Sequence, residues 1–183
     1  MIARKIFGLY LILYIFIYTG YILYIHLLRP TYSMLSLSAI LLPFILLLTF
    51  QWFLWKCTKG GKKAKTQFIT ISLLSFILPL CCGIMLGLNE HRSNFSTERW
   101  LHKPAERVYI VDDLLSQYKL MGKTREEIYK MLGAPTETEY FKEKNNIVYY
   151  LGDERGFIRI DSEWLVIWFN DSDEVIKFSI DKD

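Results

Sequence analysis

The chain has 183 residues with 22 basic and 19 acidic side chains, and every acidic one lies after Leu88. Residues 1–88 carry 8 basic and no acidic side chains, whereas residues 89–183 carry 14 basic and 19 acidic. The sequence pI near 8.6 therefore reflects the first half alone. The second half is mildly acidic, with no Lys/Arg stripe for phosphates to grip, which excludes a nucleic-acid partner.

Within the acid-free half, residues 6–28, 34–55 and 68–88 lack Lys, Arg, Asp and Glu altogether, in runs of 21 to 23 residues. A helix needs about 20 apolar residues to cross the hydrocarbon core of a bilayer, and only a helix satisfies its own backbone there without another segment. The expected architecture of residues 1–88 is three transmembrane helices. A cleaved signal peptide is excluded for residues 1–28 because the apolar run is too long and no small-x-small site follows it.

The first span places Tyr10, Tyr14, Tyr18, Tyr21 and Tyr24 at steps of 4, 4, 3 and 3, on one helical face. Phenolic hydroxyls in hydrocarbon need partners, so this face is expected to pack against protein. Residues 56–65 hold five lysines with no neutralising acid, against the single Arg29 between the first two spans. By the positive-inside rule, that segment and the amino terminus, flanked by Arg4 and Lys5, lie in the cytoplasm, and residues 89–183 lie outside. Arg92, Arg99, Lys103 and Arg107 follow the last span, but Glu90, Glu98 and Glu106 are interspersed among them. The expected location is the plasma (inner) membrane, as a multi-pass protein whose first partner is the lipid bilayer.

Cys57, Cys81 and Cys82 all fall in the membrane half, so the outer domain folds without a disulfide. Residues before Cys81 and Cys82 are not the small ones of a lipoprotein signal, and both read as packing residues beside Gly83. The spans contain no Asp, Glu, Lys or Arg of the kind transport sites use, although Pro43 and Pro79 introduce kinks.

Residues 89–103 are polar and charge-rich and read as a tether. From Pro104, suited to a first helical turn, Val108, Val111, Leu114, Leu115 and Tyr118 follow at helical spacing, with Gly122 as the stop. A second short helix begins at Thr124, with Glu127 three residues on completing a capping box. It buries Ile128, Met131 and Leu132 and ends at Gly133 and Pro135. Strands are then expected at residues 138–142 and 147–151 around an Asn145-Asn146 turn, with a short one at 157–160. The strongest is 163–170, with Trp164, Val166 and Trp168 on one face, and 175–180 is the last. The fold class is an α-helical membrane region plus a small α+β domain at 104–183, two short helices on a three- to four-stranded antiparallel sheet.

Residues 120–180 resemble the small lipoprotein domain of bacterial outer-membrane assembly, the BamE or SmpA/OmlA type. The resemblance rests on Gly122, Thr124, Glu127, Ile128, Leu132, Gly133 and Pro135, then on Tyr149-Tyr150 and on the apolar strand and acidic turn of residues 165–171. It implies a non-enzymatic, extracytoplasmic module of the cell envelope that binds other proteins, on a fold also found in inhibitors of secreted β-lactamases. This chain departs from the type by carrying three spans instead of a lipidated Cys.

No catalytic, cofactor or metal site is expected. Asp112-Asp113 and Glu126-Glu127 are neighbours whose side chains diverge on a helix. His91 and His102 have no Cys or carboxylate cluster at ligand spacing, and there is no nucleophile motif, phosphate loop or dinucleotide fingerprint. The residues expected to engage a protein partner are Tyr149, Tyr150, Trp164 and Trp168, since two short helices cover one side of the sheet and Trp and Tyr dominate binding hot spots. A subunit of a larger transport or signalling complex, working through its spans, is the alternative.

Overall fold

The computed structural model describes residues 2–57 and 61–183. Thr58, Lys59 and Gly60, together with the side chains of Arg4 and Lys63, lie outside the described residues, and so does the part of the orientation argument that rests on them. The chain forms two compact units, the first ending at Glu90 and the second spanning His91–Asp183.

The first unit consists of α1 (Ile2–Leu28), α2 (Met34–Cys57) and most of α3 (Lys62–Ser93). All three helices are long and apolar enough to cross a membrane. Tyr14 and Tyr18 of α1 are fully buried, and Tyr10 and Tyr21 pack beside them against Ile40, Leu47, Cys82 and Leu86. Tyr24, at the end of the row, stays half exposed.

The row of hydroxyls donates to helix carbonyls at or near the two prolines. Pro79 has no N–H, so the Ser75 carbonyl four residues earlier loses its helical donor. Tyr14 Oη donates to that oxygen at 2.7 Å. In α2, near Pro43, Tyr18 Oη donates to the Ile40 carbonyl and Tyr10 Oη to that of Pro43 at 2.7 Å. Side chains from a neighbouring helix are one of the few ways to satisfy a broken backbone ladder in lipid. Tyr32 Oη adds a fourth such bond, to the Gly83 carbonyl at 2.7 Å.

The second unit packs short helices on one face of an antiparallel sheet. They are α4 (Thr97–His102), a 3-10 turn at Pro104–Glu106, α5 (Arg107–Gln117) and α6 (Arg125–Leu132). The sheet runs β1 (Asn146–Asp153), β2 (Ser162–Phe169) and β3 (Val175–Lys182), a meander with β2 in the centre. Ile147, Tyr149, Leu151, Leu165, Ile167, Phe169 and Val175 form its inner face. They meet Trp100, Val108, Ile110, Val111, Leu114, Leu120, Ile128 and Leu132.

The structure differs from the sequence reading at four places. The segment 89–103 is no simple tether: α3 continues to Ser93, and α4 follows at once, its Ser96 Oγ accepting from Arg99 N at 3.2 Å as an N-cap. Its Trp100 is fully buried. Secondly, α5 ends at Gln117 and leaves Tyr118 exposed. Gly122 instead makes a turn at φ +79°, its N–H donating to the Val175 carbonyl at 2.9 Å.

Thirdly, residues 138–142 form no strand. Asn146 explains this, because its Oδ1 accepts from Glu143 N and its Nδ2 donates to the Phe141 carbonyl, closing a local turn in place of a hairpin ladder. The outer edge of β1 is met by Thr136, through its N–H to the Val148 carbonyl and through Tyr150 N–H to its Oγ1, and by Arg107 at the Tyr150 carbonyl. Lastly, residues 157–160 are irregular, so the sheet has three strands.

Helix α6 carries the capping box: Thr124 Oγ1 accepts from Glu127 N, and the Glu127 carboxylate accepts from Thr124 N at 2.8 Å. That backbone bond holds the Glu127 pKa below the usual carboxylate value. A depressed folded pKa means this contribution is complete at neutral pH and is lost as pH falls through the folded value. At the other end Gly133 sits at φ +76°, and a Cβ there meets Leu101 Cδ2 at 2.6 Å. Thermal unfolding of the full chain in detergent should therefore register a loss of about 1 kcal/mol for Thr124→Ala. Gly133→Val should cost at least as much, about 1–3 kcal/mol, because a β-branched residue is strained at positive φ. Unchanged melting of either variant contradicts the cap geometry.

Candidate interaction surface

The alternation of β2 sends Leu165, Ile167 and Phe169 inward and Trp164, Val166 and Trp168 to the opposite face, where Val148 and Tyr150 of β1 join them. Of the four residues expected at a binding face, the structure brings three together. Tyr149 is on the inner face, fully buried, with its hydroxyl donating to the Gly133 carbonyl at 2.9 Å. Burial pushes its pKa well up.

The outer face is partly roofed. With no strand at 138–142, Tyr140 and Phe141 fold over it: Tyr140 stacks on Trp164 with ring centroids 5.5 Å apart, and Phe141 tilts against the same indole at 6.4 Å. Tyr150 meets it edge-on at 5.1 Å. Trp164 is left 7% exposed, and among the described residues its Nε1–H has no acceptor. A buried donor without an acceptor costs about 1–3 kcal/mol.

Trp168, four residues on, is only partly buried. Its Nε1 donates to Glu143 Oε2 at 2.9 Å, and Lys177 Nζ stands 4.5 Å from its ring centroid. The surface is thus an aromatic strip, Tyr140–Trp164–Tyr150, beside a Trp168 held between one carboxylate and one ammonium. Sequence reasoning missed Tyr140 and Phe141 because two aromatics in an alternating run read as a strand; the turn-forming capacity of Asn146 was the available signal.

Two charged groups hold the core to this sheet. Arg107 is buried without a carboxylate: its Nε donates to the Trp100 carbonyl at 2.8 Å, its Nη1 to the Tyr150 carbonyl at 3.2 Å, and its plane lies over the Trp100 ring. Burial lowers its pKa. Glu163, 1% exposed, receives the Arg155 backbone N–H at 3.0 Å, Nε at 3.1 Å and Nη2 at 2.8 Å, while Arg155 Nη1 reaches Asp112 on α5. Burial works against the Arg155 charge, but Glu163 and Asp112 outweigh it and its pKa is raised.

Asp113 and Glu127, of the two adjacent carboxylate pairs, are engaged structurally. Asp113 accepts from Phe95 N at 2.6 Å and from Gln117, and Glu127 is in the capping box. Among the described residues no group of His, Cys, Asp and Glu is arranged to hold a metal ion.

The helix bundle holds a separate feature. Gln51 of α2 is 5% exposed, and Ser72 Oγ of α3 donates to its Oε1 at 2.9 Å, while its Nε2 has no acceptor among the described residues. It lines a cavity of about 770 Å³ with Phe7, Leu54, Trp55, Thr70 and Ile71.

No family model, curated protein or solved structure matches the chain.

Arg155→Ala strands a buried carboxylate. Breaking a buried pair on one side typically costs about 3–5 kcal/mol, and the partial exposure of Arg155 puts the expected loss near the lower end. The double variant Arg155→Ala/Glu163→Gln should regain part of the lost melting temperature, because it removes the uncompensated charge. A single variant as stable as the parent contradicts the assigned pairing.

Proposed function

We propose that this chain is a membrane-anchored, non-catalytic interaction module of the cell envelope. In this reading α1–α3 cross the plasma membrane, the amino terminus and the lysine segment face the cytoplasm, and the domain of α4–α6 and β1–β3 stands outside. The charge split at Leu88 and the length of the three apolar helices support the anchoring. The capping box, the Gly133 stop and the antiparallel meander are compatible with the BamE-type resemblance.

The observation that carries the binding role is the aromatic strip on the outer face of the sheet. Trp164 holds an indole N–H away from water with no acceptor among the described residues, and Trp168 beside it is only partly buried. A partner segment that supplies a backbone carbonyl and an apolar side chain would satisfy the first and cover the second, which is the composition of a hot spot.

Two measurements test the reading. A reporter that works only in the cytoplasm, fused after Asp183, should be inactive; activity overturns the orientation. Trp168→Ala should abolish a specific cross-linked adduct in intact membranes, identified by mass spectrometry, while lowering the melting temperature less than loss of the fully buried Trp100 does, since the Trp168 ring is only partly buried. A large stability loss with the adduct retained makes Trp168 core and removes the binding face. The Gln51 amide beside its cavity favours the second reading, a subunit of a larger transport or signalling complex that works through its helices.

A further inference from the structure

The cavity among α1, α2 and α3 lies wholly within the first unit. Phe7 of α1, Leu54 and Trp55 of α2, and Phe68 and Ile71 of α3 give it an apolar wall. Its volume of about 770 Å³ is that of a ligand site, since close-packed interiors leave few voids larger than a water molecule.

One buried polar side chain of this wall is left half satisfied. Gln51 is 5% exposed, and its Oε1 accepts from Ser72 Oγ at 2.9 Å. Its Nε2 has no acceptor among the described residues. A primary amide carries two N–H donors, and withholding both from any acceptor away from water is unfavourable. The helix carbonyls around it are engaged in their own ladders, so the missing partner is an acceptor oxygen on a molecule that is otherwise apolar.

The charge at this end of the bundle says what else that molecule carries. Lys62 and Lys65, both exposed, stand in the first turn of α3, from which the cavity-lining run of Phe68 and Ile71 begins one turn later. Residues 1–88 contain no acidic side chain to neutralise them. Gln51 lies five residues before Lys56, about 7.5 Å along the axis of α2 at 1.5 Å per residue. That is about the thickness of the headgroup region on one side of a bilayer.

We propose that this cavity holds one anionic glycerophospholipid. An acyl chain lies along Phe7, Leu54 and Ile71, an ester carbonyl accepts from Gln51 Nε2, and the phosphate faces Lys62 and Lys65. Apolar body, buried acceptor and surface anion occur together in this class of molecule, and basic residues beside a span attract anionic headgroups. The assignment rests on the reading that α1–α3 cross a bilayer.

The test titrates the full chain, purified in detergent and stripped of lipid, with dioleoyl phosphatidylglycerol under native mass spectrometry. One lipid per chain is expected to be retained, with dioleoyl phosphatidylcholine bound roughly tenfold more weakly. Gln51→Leu should weaken phosphatidylglycerol binding about tenfold. It should melt no lower than the parent, because Ser72 Oγ also lies 2.8 Å from the Phe68 carbonyl and keeps that acceptor. Lys62→Gln/Lys65→Gln, changed only at exposed positions, should erase the preference for phosphatidylglycerol. Leu73→Trp, at an exposed position of α3 outside the cavity, should leave binding unchanged. Gln51→Leu holding the lipid as tightly as the parent overturns the proposal, as does a loss with Leu73→Trp equal to that with Gln51→Leu. Either result leaves the bilayer reading intact if the chain stays with the membrane fraction in alkaline carbonate. Release of the chain by carbonate overturns both.

Discussion

A carbonyl withdrawn from water must find a donor, and in this protein side chains repeatedly supply what the helices cannot. Pro79 strips the Ser75 carbonyl of its donor, and Tyr14 replaces it. The same solution recurs in the second unit, where Pro104 likewise cannot donate to the Trp100 carbonyl four residues earlier. The last carbonyls of a helix are orphaned by geometry; Trp100 Nε1 donates to the Leu132 carbonyl at the end of α6, and Arg107 Nε donates to the Trp100 carbonyl near the end of α4. Tyr149 completes the set at Gly133. Large donors are thus placed where short or broken helices end, and they bring their apolar bodies into the core as they do so.

That arrangement explains how a small domain without disulfides closes a core. Helices of six to eleven residues are marginal alone. Trp100 ties α4 to α6 through its indole and to β1 through its ring, whose centroid lies 5.9 Å from that of Tyr149. Arg107, stacked on the same indole, joins the start of α5 to Tyr150 of β1. The charge on Arg107 is tolerated because carbonyl oxygens and an aromatic face stand in for a carboxylate.

Much of this was legible in the residues. Apolar runs of bilayer length, the Thr124–Glu127 box and the alternation of 163–169 each belong to a single structural period, so local pattern and tertiary outcome agree. The tyrosine row also read as a packing face. The hidden parts were those decided by one residue acting at a distance. Six residues are too few for a helical period, so α4 depended on Trp100 finding α6. Residues 138–142 had the alternation of a strand, yet the Asn146 amide turned them over the sheet. Residues 157–160 had strand composition, but the Arg155–Glu163 pair fixes the chain as it leaves the sheet, and no neighbouring strand faces them.

The order of the strands has a consequence for biogenesis. The central strand, β2, and its edge partner β3 are made after every helix, while α4, which must dock on α6 and β1, is made before them. A nascent chain thus carries Trp100, Val108 and Leu114 exposed until residues 162–182 have been translated. Domain closure is then a single late event, because the local meander forms quickly once complete and the amino-terminal helices have been waiting for it. During that interval the growing domain is an apolar, unpaired segment, the state in which a chaperone or a protease has its opportunity.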